Sequence, residues 1–209
     1  MGSRWALRVH AVCEWFVWVA CMNALWLVGV LAGAVVFGIG PASAAVAVLT
    51  RRRLRGESVR LVRDYASAWA RGFLASQLAG GMPLVGAALI ALQAAGHLDD
   101  DRDPWAALLS IAAAFAFAVS AVSLTIHAHY ELRALSHVVT ASRWLLHNPG
   151  PALLLMATAV AVAAATATLP AFALVFSSGA WFTISTALCL GFFAANDAAL
   201  TATNEGVHS

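Results

Sequence analysis

Gly38-Ile39-Gly40-Pro41-Ala42-Ser43-Ala44-Ala45 interrupts an uncharged run that reaches from Trp15 to Thr50 and is followed at once by Arg51-Arg52-Arg53-Leu54-Arg55. As one straight helix the 36 residues of that run would form a rod of about 54 Å, against a hydrocarbon core of ~30 Å. A single span is excluded, and the chain must turn or stop crossing near Gly38. Gly38 and Gly40 supply a permissive backbone there, and Pro41 suits the first turn of a new helix. The run therefore divides into a full span over residues 14–37 and a short second one over 41–50. The second has only about ten apolar residues, roughly 15 Å as helix, so its amino end must lie below the membrane surface in a protein-lined recess. Ala42, Ser43, Ala44, Ala45 and Ala47 allow close helix packing around it.

The rest of the chain agrees with a membrane setting. Of the 209 residues 62% are hydrophobic and 11% charged, with mean hydropathy +0.82, where a soluble domain carries roughly 25% charged residues. The fold class expected is all-α, a single polytopic transmembrane bundle of about six segments over residues 1–209. Further spans are expected at 72–95, 105–127, 152–171 and 179–196, with amphipathic cytoplasmic helices at 57–71 and 129–147. Gly80-Gly81-Met82-Pro83 should kink the third span, because Pro83 removes a backbone hydrogen bond. The apolar region before residue 38 is too long for a signal-peptide core, and Ala42-Ser43-Ala44 is read as helix, not as a cleavage site.

Charge placement suggests orientation. All basic residues are Arg, and six lie between Arg51 and Arg63, while Asp99, Asp100, Asp101 and Asp103 crowd one loop. With six spans the Arg-rich segments and both termini fall on the cytoplasmic side of a bacterial membrane, and the acidic loop falls outside. Arg51, Arg52, Arg53, Arg60 and Arg63 are then the surface residues that meet the lipid bilayer. Three consecutive aspartates lack the alternate spacing of a calcium loop, and nothing points to nucleic acid.

Polar residues inside the spans are costly and are the candidates for ligand contact or packing. They are Asn23, Ser43, Gln77 and, near a span end, Asp197, together with the backbone-shaping Gly38, Gly40 and Pro41. Cys13, Cys21 and Cys189 show no ligand spacing and read as small buried hydrophobes. No HExxH, nucleophile elbow or phosphate loop is present, so no catalytic residue and no cofactor is expected. The weak metal candidates are His127 and Glu131, four apart on one helical face but lacking a third ligand in sequence.

Asn23-Ala24-Leu25-Trp26, then Gly40-Pro41-Ala42-Ser43-Ala44-Ala45, then the run Arg51 to Gly56 closed by Glu57 resemble, in order and spacing, the YesL family of bacterial integral membrane proteins. The resemblance implies about six helices, no established activity, and an association with carbohydrate uptake, with sugar ABC transporter permease subunits as partners. The functional expectation is a non-catalytic accessory or regulatory membrane protein. The alternatives are a small transporter or channel, with a pathway near residues 38–45 and 80–83, and a membrane-embedded metalloenzyme using His127 and Glu131.

Overall fold

The computed structural model describes residues 2–97, 104–127 and 134–207, and among these the chain is helical with no strand. Five helical stretches are long and apolar enough to cross a membrane: Trp5–Ala32, Phe73–Ala95, Pro104–His127, Pro149–Thr168 and Ser177–Asn196. They belong to α1 (Gly2–Ala32), α4 to α5 (Phe73–Ser76 and Met82–Ala95, joined by a π-helical turn), α6 (Pro104–His127), α8 (Pro149–Thr168) and α10 (Ser177–Val207). The protein is an all-α, multi-pass helical bundle of membrane type.

The break at Gly38 is a tight turn. Helix α1 stops at Ala32, and Ala34 and Val35 take left-handed backbone angles (φ 51° and 66°), which a β-branched valine adopts only under constraint. The constraint is local hydrogen bonding: Val35 N donates to Val30 O at 2.8 Å and Gly38 N to Val35 O at 3.1 Å. A Cβ on Gly38 would stand 2.5 Å from the Val30 carbonyl oxygen and 2.6 Å from that of Gly29, so only glycine lets the returning chain pass this close.

The returning chain is α2 (Ile39–Leu54), whose residues from Gly40 to Ala47 are all buried. The segment read as a short second span is thus the packed axis of the bundle, flanked by α1, α3 and α10. Its partner α3 (Leu61–Arg71) was expected to lie on the membrane surface. It runs back along α2, with Leu61 near Trp18 and Arg53, and with Trp69 Nε1 donating to Gly29 O at 3.2 Å. The face it packs inward carries Leu61, Tyr65, Ala68 and Trp69, with Tyr65 only 5% exposed, while Val62 is left exposed.

That return passage decides at which end of the bundle α5 stops and α6 begins. Helices α1 and α2 are antiparallel, Trp26 facing Ser43 and Trp18 lying under Arg53, while α10 runs parallel to α1, with Gly179 at Asn23 and Phe182 at Trp26. Gln77, which opens the π turn, is level with Gly40. From there α5 descends against α6, with Ala79 at Ser123 and Gly80 at Leu124, while Phe117 of α6 meets Trp181 further down. Ala95 and Pro104, the helix ends that flank the acidic loop, therefore fall at the Arg53 end of the bundle. The loop's residues 98–103 lie outside the described residues.

Two apolar clusters hold the bundle. One centres on Met22, Val46, Leu49, Leu124, Trp181 and Phe182 and joins α1, α2, α6 and α10. The other joins Val122 and Ile126 of α6, Ala141 and Leu145 of α7 (Ala134–His147), Leu155 of α8 and Cys189 of α10. A short helix α9 (Pro170–Val175) makes the turn between α8 and α10. Of the cysteines expected to be buried, Cys189 is, Cys21 is half-buried and Cys13 is exposed on α1.

Candidate functional site, the recessed start of the second helix

A helix start inside a membrane leaves backbone N–H groups without partners and carries the positive end of the helix dipole. In α2 those of Gly40 and Ala42 are met by protein. The Gln77 carboxamide accepts from Gly40 N at 2.9 Å through Oε1 and donates from Nε2 to Val36 O at 2.8 Å. Pro41 has no N–H to satisfy, and Ala42 N donates to Gly38 O at 2.9 Å. One side chain thus bridges both arms of the turn. The fit requires Gly40, because a Cβ there would stand 2.5 Å from the Gln77 Cα. It also requires Gly81, on the π turn, where a Cβ would meet the same carboxamide.

The π turn, Gln77–Gly81, presents that side chain. Pro83 cannot donate to the carbonyl four residues earlier, Ala79 O, and helices around a proline commonly adjust to π geometry. The Met82 N–H bonds back to Gln77 O, five residues away, and the Ala79 carbonyl accepts instead from Ser123 Oγ at 2.5 Å. The expected kink is thus resolved into a π turn with a named external donor.

The other deep polar residues do similar work. Asn23 donates from Nδ2 to Leu174 O at 2.6 Å and accepts from Gly179 N at 3.0 Å, clamping the α9 turn to the start of α10. Ser43 accepts from Trp26 Nε1 at 3.0 Å and donates to Ile39 O at 2.7 Å. Asn23, Gly38, Gly40, Pro41, Ser43 and Gln77 are therefore brought together as neighbours of two helix starts. The side chain of Asp197 lies outside the described residues.

The basic residues separate into different tasks. Arg52 faces Asp64 at 3.7 Å and Glu57 at 4.0 Å, and Asp64 also accepts from Arg60 N at 2.9 Å. Burial, and then the neighbouring Arg55, pull the Arg51 guanidinium below its ordinary value. Arg53 lies over the rings of Trp15 and Trp18, 4.9 and 4.6 Å from their centroids. Arg60, which precedes α3, and Arg63 on α3 are exposed. The carboxylate of Asp64 was missed in the sequence, although an acid four residues after Arg60 is an ordinary helix-start signal.

His127 packs edge-on against His137, ring centroids 5.3 Å apart at 86°. Glu131 lies outside the described residues. Among the described residues no group of three or more His, Cys, Asp or Glu side chains is placed to hold a metal ion.

A family described as "Protein of unknown function, DUF624" matches residues 19–94. The match runs from the middle of α1 to the end of α5 and takes in Asn23, Ser43 and the whole Gln77 bridge. It covers the segments on which the YesL resemblance rests, but its description carries neither that name nor an activity. No curated protein and no solved structure matches the chain.

Proposed function

We propose that this protein is a non-catalytic membrane subunit that acts through contact with a partner, and that the partner is the permease of a carbohydrate ABC uptake system. The observation that carries the non-transporting part of this reading is the Gln77 bridge. A pathway through the 38–45 turn would need the amino end of α2, or the deep polar side chains beside it, to face a ligand. Those groups are engaged with Gln77, Ser43 and the backbone. The metalloenzyme alternative gains nothing comparable, since the contact seen for His127 is a ring contact with His137. The carbohydrate connection is supported by the resemblance of Asn23–Trp26, Gly40–Ala45 and Arg51–Glu57 to the YesL family.

The test is affinity purification of the tagged protein from its own membranes in mild detergent, with identification of what copurifies. A sugar permease subunit recovered in near-stoichiometric amount is the expected result. Recovery of the chain alone, together with sugar uptake by vesicles containing only this protein, would overturn the reading.

A further inference from the structure

The first half of α1, the end of α2 and the start of α3 enclose a cleft of about 330 Å³, small for a ligand pocket and of a size for a lipid head group, not a whole lipid. Val17, Trp18 and Leu61 line it with apolar surface, and Arg53, Glu14 and His10 bring polar groups to it. Phe176, where the α8–α10 turn ends, meets Phe16 with ring centroids 6.1 Å apart, so this level is an end of the bundle. Trp15, Trp18 and the Arg51–Arg55 run mark it as the boundary between hydrocarbon and head groups.

Arg53 and Glu14 are of opposite sign. The rings of Trp15 and Trp18 position the Arg53 guanidinium. The Glu14 carboxylate is 57% exposed, and its neighbour on α1, His10, stands 3.6 Å away. An anionic head group would find Arg53 but also the repulsion of Glu14. A head group with both a phosphate and a primary ammonium satisfies both charges, and a fully methylated ammonium could not donate hydrogen bonds to Glu14. We propose that this cleft binds an aminophospholipid of the phosphatidylethanolamine type, with its phosphate at Arg53, its ammonium at Glu14 and its upper chain along Val17, Trp18 and Leu61.

The purified full-length protein, stripped of lipid, is offered an equimolar mixture of phosphatidylethanolamine, phosphatidylglycerol and phosphatidylcholine with identical acyl chains, and bound lipid is counted by native mass spectrometry. The expected result is enrichment of phosphatidylethanolamine by about two- to fivefold, the worth of one exposed ion pair. Arg53→Gln should lower retention of all three, and Glu14→Gln should abolish the preference while leaving total retention near wild type. An unchanged melting profile of the two variants is the control for folding. Preferential binding of phosphatidylglycerol, equal binding of all three, or a preference that survives Glu14→Gln would each overturn the proposal.

Discussion

Gln77 shows why a polar residue inside a membrane bundle need not be a binding residue. Side-chain hydrogen bonds between membrane helices average only about 0.6 kcal/mol, because the separated helices find other partners. Gln77 differs in that its loss would orphan the buried Gly40 N–H, at a cost of about 1–3 kcal/mol, and would also take the partner of the part-buried Val36 C=O. Gln77→Leu should therefore destabilise the fold by about 1–3 kcal/mol in denaturant titration in mixed micelles, and Ser43→Ala by less. Equal small effects would mean that the bridge is incidental. Tyr65 gives the opposite case: its hydroxyl is buried without a hydrogen-bond partner, so Tyr65→Phe should leave stability unchanged or slightly higher in the same titration.

At the scale of elements, the sequence was legible where length and charge decide, and not where one helix must supply what another lacks. The 36-residue uncharged run forced a break, and the turn falls at residues 33–38 as that length requires. The kink was legible from Pro83, but its form was not, because the donor that rescues Ala79 O comes from Ser123, 44 residues away. This coupling can be measured. In the wild-type background Ser123→Ala should cost about 1–3 kcal/mol by orphaning a buried carbonyl. In a Pro83→Ala background, where residue 83 regains an N–H, the same change should cost distinctly less. Additive effects would show that proline and serine act independently. The packing of α3 on α2 and α1 was hidden in the sequence for a related reason. A helix with Val62, Tyr65 and Trp69 on its faces reads alike against lipid head groups and against a neighbouring helix, and only the depth of Gly29 and Ala42 in the bundle decides between them.

At the scale of the whole molecule, the passage of α3 back along α2 brings the end of α5 to the Arg53 end of the bundle, which a count of apolar runs alone does not foresee. Single cysteines at Glu57→Cys and Ala95→Cys, both at exposed positions, should label with an impermeant thiol reagent from the same face of sealed vesicles when the native cysteines are removed. Labelling from opposite faces would restore the simple alternation of spans. The candidate site was legible as a list, since Asn23, Ser43 and Gln77 stand out as polar residues in apolar runs. Their role was not, because a carboxamide that lines a pathway and one that closes a helix start look the same in sequence. The central claim is that the start of α2 is sealed by protein, and Ser43→Cys in the cysteine-free background tests it most directly. Ser43 is fully buried beside Trp26, so Ser43→Cys should stay unreactive to a small impermeant thiol reagent from either face of intact vesicles and should label only after denaturation. Rapid labelling from one face, at a rate near that of a cysteine at the exposed position 13, would show an open aqueous path to the helix start and contradict the account.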